Sequence, residues 1–373
     1  MEFSLKRRFL IMGLFDFLKK KENKNAKLTT KQTMPFSNTS AQDDVIPIEE
    51  RIRGKQPTCG SLYPHEVLVL SYADKYNTSG NEFQGFWWYR YGIKDVQAVL
   101  SKLESDGFIT VGTVADALAN KKLPELKRVL QAYGLKVSGK KADIVQRIIE
   151  NVPAEEIDAS FPVKPYKRTD SGEALLKKFE WIPYIHSHSI DGLDIWSLTE
   201  KVQTPPYMKY RDKIWRHFNK LGMEYAKNAQ FGLYRNIRFQ MSEFLVEEHK
   251  ERGAFSLLCE VLTYDLSGLS NGFNPQNISM NYQFFYPYEK SIVTIVPGIT
   301  DRIKKMSDSF GWSEKELMTT LLQEISDIKL PFTIFTPEEK VQIVLAEMNE
   351  DTAKLDLIYN ASARRFKKQY KVK

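Results

Sequence analysis

Apolar residues recur at intervals of three and four along most of this chain, the spacing of one face of an α-helix. "YPHEVLVLSYADKY" places Pro64 in a first helical turn, with Val67, Leu68, Leu70 and Ala73 behind it. "NTSGNE" breaks the period, and "FQGFWWYRYG" then crowds aromatics together. "IKDVQAVLSKLESDGFITV" aligns Val96, Val99, Leu100 and Leu103, with Gly107 as the stop. Residues 113–152 hold two short amphipathic helices: Leu123, Leu126, Val129 and Leu130 mark the first, and Ile144, Val145, Ile148 and Ile149 the second. Pro153, Pro162 and Pro165 punctuate 153–173, which has no helical period and is expected to be a connector. Residues 174–373 are expected to be almost wholly helical. "MSEFLVEEHKERGAFSLLCEVLTYDLSGL" predicts a helical hairpin broken at Gly253, and "SNGFNPQN" a loop. Ser313 with Glu316, and Thr336 with Pro337, predict two capped helix starts.

Length and composition fit this picture. A chain of 373 residues, 42% hydrophobic and 27% charged, predicts two or three domains with real cores. Its two cysteines, Cys59 and Cys259, form no C-x-x-C pair, which excludes a zinc ribbon, a thioredoxin-type motif and a disulfide framework. They fit a reducing cytoplasm, the expected location. Residues 1–61 are expected to be a flexible N-terminus and linker, rich in Lys, Asn, Thr, Ser and Gln after residue 18. The apolar run Phe9–Leu18 is interrupted by Asp16 and is too short to span a bilayer. It reads as a weak membrane-surface anchor or a frayed end, and Met12 is a natural initiator. No integral membrane segment is expected.

Net charge is +7 and pI about 9.0, so the location of the charge matters more than its sum. From Lys121 to Glu150 there are eight bases (Lys121, Lys122, Lys127, Arg128, Lys136, Lys140, Lys141, Arg147). Three acids oppose them (Glu125, Asp143, Glu150), leaving +5 in about thirty residues. A second basic run, Arg364 to Lys373, closes the chain. Within the first lies "GLKVSGKKADI", residues 134–144. Gly134, Gly139 and Lys140 fit the opening of a phosphate loop, G-x-x-x-x-G-K-[ST], but Lys141 stands where a magnesium-binding hydroxyl is needed. The upstream "LPELKRVLQAY" is helical in period, whereas a phosphate loop follows a buried strand. Nucleotide binding is therefore not expected.

The same residues resemble a SAP domain, a small helix-loop-helix DNA-binding motif. Leu126, Lys127 and Leu130 match its first helix. Gly134 and Leu135 match its turn, Ser138, Gly139, Lys140 and Lys141 its loop, and Ala142, Ile144, Arg147 and Ile148 its second helix. Gly134 can end a helix in a left-handed conformation, and Ser138 can cap the next one. Its free first-turn amides, with Lys140 and Lys141, would suit a phosphate. The expected DNA-binding residues are Lys127, Lys136, Ser138, Gly139, Lys140, Lys141 and Arg147. The resemblance implies duplex DNA as partner, with a leaning to AT-rich sequence.

Other constellations are weaker. His186 and His188, with Asp191 and Asp194 nearby, could share a strand face on a metal, but no third ligand follows at a plausible spacing. "GFWWYRYG" could stack bases on Trp87, Trp88 and Tyr89 beside Arg90, or simply bury large rings. No catalytic motif appears, so no cofactor or metal is expected and a non-enzymatic role is favoured; the alternative readings are a protein-interaction scaffold that does not bind DNA and a phage-related enzyme acting on nucleic acid. The helix before Gly107 and the short run Phe108–Val111 resemble the late part of a winged helix, although no wing hairpin follows Val111. The helical hairpin is similar to a tetratricopeptide pair. The expected architecture is mainly α: a winged-helix-like α+β domain at 62–112, the SAP-like module at 113–152, a connector, and an all-α domain at 174–373 that binds a protein partner. This combination resembles SAP-containing proteins of bacterial prophages and mobile elements.

Overall fold

The computed structural model describes residues 45–205, 207–271 and 275–372. The apolar N-terminal run, Met12 and most of the expected linker lie outside the described residues. The protein is mainly helical, with nineteen α-helices and a two-stranded sheet among the described residues.

Helix α1 (Ile48–Arg51) lies within the stretch expected to be linker. Its Ile48 is buried, and the Ile48 amide donates to Gly92 O at 3.0 Å. Cys59 and Leu62 are also buried. A segment this poor in apolar residues shows no period, yet Ile48, Cys59 and Leu62 are placed in the core. Helices α2 (Pro64–Tyr72), α3 (Phe86–Tyr89) and α4 (Val96–Ser105) follow. Asp95 caps α4 by accepting from the Ala98 amide at 2.8 Å, and Gly107 sits at φ +79° beyond its end.

Strand β1 (Ile109–Val111) then pairs antiparallel with β2 (Tyr166–Arg168), Ile109 opposite Arg168 and Val111 opposite Tyr166. The hairpin thus exists, but residues 112–165 stand between its strands. No local turn signal could announce a partner so far along the chain. The intervening residues fold as α5 (Val114–Asn120), α6 (Leu123–Ala132), α7 (Lys141–Asn151) and α8 (Ala154–Ser160). Two of these elements, α8 and β2, lie in the expected connector. Helix α8 is too short to show a period. Its Ile157 alone turns inward, and Glu155 and Glu156 favour its first turn.

The chain returns through α9 (Asp170–Lys178), α10 (Trp181–Ser187), α11 (Ile195–Gln203), α12 (Tyr210–Lys227), α13 (Phe231–Glu247) and α14 (Glu251–Asp265). Helices α13 and α14 form the expected hairpin. Its break falls at Glu248–Lys250, where His249 adopts φ +55°, and not at Gly253. Gly253 lies inside α14, where a Cβ would come within 2.9 Å of Leu245 Cδ1, so its bareness serves close helix packing. After α15 (Tyr282–Phe285) come α16 (Pro297–Phe310), α17 (Glu314–Ser326), α18 (Pro337–Met348) and α19 (Thr352–Tyr370). The two predicted caps are present: Ser313 Oγ accepts from Glu316 N at 3.3 Å and Thr336 Oγ1 from Glu339 N at 3.2 Å.

The hydrophobic cores divide the chain differently from the sequence boundaries. One core joins Ile48–Ile109 to Tyr166–Phe244, so residues on both sides of the module share it. Trp215, Phe218 and Leu221 of α12 pack there. A second core runs from Phe239 to Phe366. The third is small and separate: Leu118, Leu126, Leu130, Ile144, Ile148, Val152 and Ile157. No helix among the described residues is long and apolar enough to cross a membrane.

Candidate nucleic-acid interface

The third core belongs to a module held between β1 and β2. Its chain ends are close together, because Gly112 N donates to Pro165 O at 2.8 Å. Two ion pairs fasten it to the strand side: Lys167 to Asp116 at 2.9 Å and Lys164 to Asp158 at 2.7 Å. Lys167, with the Thr113 hydroxyl and amide, lowers the Asp116 carboxyl to about 2. The Gly112–Pro165 and Lys167–Asp116 anchors join residues about fifty positions apart, so local sequence carries no sign of them.

Within the module, α6 ends in a Schellman turn. Leu135 N donates to Leu130 O at 2.8 Å and Gly134 N to Gln131 O at 3.1 Å, with Gly134 at φ +65°. Leu135 folds back onto the core. Gly139 adopts φ +135°, which L side chains rarely do, and so turns the chain into α7.

Helix α7 starts at Lys141, two residues later than a Ser138 cap would require. Ser138 gives only its carbonyl, to Arg147 Nη1 at 3.1 Å. The capping group is the Asp143 carboxylate, which accepts from Lys140 N at 3.1 Å. Asp116 and Glu125 occupy the same third position in α5 and α6 and do the same for Thr113 N (2.7 Å) and Lys122 N (3.1 Å). Three acids are thereby committed to helix starts, each at the third position of its helix, a spacing present in the sequence.

Arg147 has a role within the fold. Its Nη1 donates to the carbonyls of both Lys136 and Ser138, so it staples the loop to α7 and its guanidinium is half-buried. Lys136, Gly139, Lys140 and Lys141 are exposed around this staple, and Lys127 is half-buried on α6. The first helical bond of α7 is Ile144 N to Lys140 O, so the amides of Lys141, Ala142 and Asp143 precede the ladder. Asp143 brings a negative charge to the same end. The phosphate-seeking character therefore rests chiefly on the exposed lysines.

Across 113–161 there are eight bases and seven acids, because α8 adds Glu155, Glu156 and Asp158. Six of the acids have partners: three cap helices, Glu150 accepts from Gln146, Glu156 from the Tyr133 hydroxyl, and Asp158 pairs with Lys164. None of the eight bases is in an ion pair among the described residues. The local excess survives as exposed, unneutralised charge even though the module is near neutral overall.

The other sites expected from sequence fare differently. His186 and His188 lie at the end of a helix, not on a strand. Both His186 ring nitrogens are engaged, by Tyr72 Oη at 2.9 Å and Tyr91 Oη at 2.6 Å. Burial, with Arg90 and Lys75 nearby, lowers its pKa to about 4. His188 bonds Glu247 Oε1 at 2.8 Å and stacks on Tyr184. No group of three metal-ligating side chains is assembled among the described residues.

No curated protein and no solved structure matches the chain significantly. Residues 117–153, about a tenth of its length, match the family model of the SAP domain. The module carried between β1 and β2 is a SAP domain.

Proposed function

We propose that this protein binds duplex DNA through its SAP domain, with Lys127, Lys136, Lys140 and Lys141 meeting backbone phosphates. Ser138 and Gly139 shape the loop between them, and Arg147 holds that loop in place. The observation that carries this reading is the separation of charge: four of the acids are committed to helix caps and strand-side anchors, while none of the eight bases is in an ion pair among the described residues. Such a surface favours a polyanion and carries little base readout of its own. A leaning to AT-rich sequence, which the SAP resemblance implies, would then come from groove shape.

In this reading the protein does no chemistry of its own. The α4–β1–β2 unit is similar to the late part of a winged helix and adds a second contact. The body around the Phe239–Phe366 core holds a protein partner in the cytoplasm. Gel-shift titrations with AT-rich and GC-rich duplexes test the central step. Wild-type binding should weaken with salt, and Lys140→Glu with Lys141→Glu should cut affinity at least about ten-fold and flatten the log–log salt slope by about 1.8. Equal binding by the double variant would sink the reading.

A further inference from the structure

The aromatic run at residues 86–91 splits into two sets. Trp87 and Tyr91 turn inward: Trp87 Nε1 donates to Tyr76 Oη at 2.7 Å, and Tyr91 Oη bonds His186. Trp88 stays half-exposed and Tyr89 is 69% exposed. Phe86, Tyr89 and Arg90 fall at i, i+3 and i+4, which puts them on one side of the short helix α3. Phe86 touches Tyr72 at a ring separation of 5.7 Å.

Three cations are interleaved with these rings. Lys75 Nζ lies 4.1 Å over Tyr72, and Lys94 Nζ 4.9 Å over Trp88. Arg90 Nη1 donates to the His186 carbonyl at 3.0 Å, which fixes the guanidinium. None of the three is in an ion pair among the described residues. Neighbouring acids are mostly engaged elsewhere, Asp74 by Arg168 at 2.6 Å and Asp95 by the α4 cap, while Glu82 is exposed. His186 beneath stays neutral, so it offers these cations no counter-charge.

Single exposed rings are ordinary on protein surfaces. Flat rings alternating with unpaired cations fit a narrower class of ligand. A base has an apolar face to stack, and its phosphate is an anion within reach of a lysine. Duplex bases are already stacked on each other, so only an unpaired strand can use the rings. We propose that this surface binds single-stranded nucleic acid, with a base stacked on Tyr89 and phosphates held by Lys75 and Arg90 on one side of the helix, and the strand continuing round it to Trp88 and Lys94. The surface is separate from the SAP domain and does not depend on what that domain binds.

The test uses the full chain and a fluorescent oligothymidylate of about 12 nucleotides, followed by anisotropy across a salt series. Wild-type protein should bind in a salt-sensitive way. Tyr89→Ala should weaken binding roughly ten-fold, and Tyr89→Phe should restore it, because the ring face is kept. Lys94→Glu should flatten the salt slope by about 0.7. Circular dichroism establishes that each variant is folded. The Lys140→Glu, Lys141→Glu protein should keep its oligothymidylate affinity, and Tyr89→Ala its duplex affinity. Loss of single-strand binding in the SAP variant would move that binding to the SAP domain and overturn the proposal. Unchanged affinity in folded Tyr89→Ala overturns it too, as does equal displacement by polyglutamate at matched charge, which would identify a surface for acidic peptides.

Discussion

The SAP domain and the body beyond α11 are both rich in cations, and they use them in opposite ways. In the body, Arg211 bonds Glu247 and Glu248 and lies 3.9 Å over the Phe244 ring. Arg302 meets Glu243 through two nitrogens at 2.8 Å, and Arg365 meets Glu339 likewise. These guanidinium groups join helices to one another. In the domain between β1 and β2 the exposed cations are mainly lysines, and no carboxylate answers them. Charge that holds a fold together and charge that is available to a partner are distinguished by the company each keeps.

Core size sharpens the contrast. The SAP domain rests on seven buried side chains, whereas the Phe239–Phe366 core has many more. Leu130→Ala should cost about 2–5 kcal/mol. A domain this small should lose its fold, and with it duplex binding, while hydrogen exchange in α14 stays slow. Uniform loss of protection across the chain would show that the two cores are one cooperative unit.

Arg211→Ala should lower stability by about 2 kcal/mol, through lost charge-assisted hydrogen bonds and ring contact, and leave duplex affinity unchanged. Lys127→Ala should do the reverse: stability within about 0.5 kcal/mol of wild type, and a salt slope flatter by about 0.9. Paired denaturation and gel-shift measurements check both. If Arg211→Ala weakened DNA binding in a folded protein, the division of labour would fail.

The smallest effect is a pH dependence. His186 and the buried His65 titrate well below 6.5 in the folded protein, at about 4 and about 3, chiefly through burial. Between those values and pH 6.5 the unfolded chain binds more protons than the folded one, so stability is complete above about 6.5 and falls as pH drops. The partly exposed His186 should contribute about 1 kcal/mol by pH 5 after allowance for screening. The SAP domain contains no histidine and should not share this loss. Urea midpoints from pH 7 to 5, for wild type and His186→Gln, measure it, and a slope unchanged in the variant would remove His186 as its source.

The sequence by itself determined the local features. Helical period, the Ser313 and Thr336 caps, and the SAP pattern around Gly134 to Ile148 depend on residues within a few positions of each other. Short-range hydrogen bonds and side-chain spacing decide them, so they are legible in a string. The tertiary structure alone decided the rest. Strand β1 finds its partner beyond an entire domain, Lys167 reaches Asp116 across fifty-one positions, and Arg147 staples the loop through two carbonyls. Which lysines stay free is likewise a tertiary result, because a cation is unpaired only when the fold brings no carboxylate to it. The run "GFWWYRYG" shows the boundary: its composition announces aromatics, and only the packing of Trp87 and Tyr91 against Tyr76 and His186 leaves Trp88 and Tyr89 facing outward.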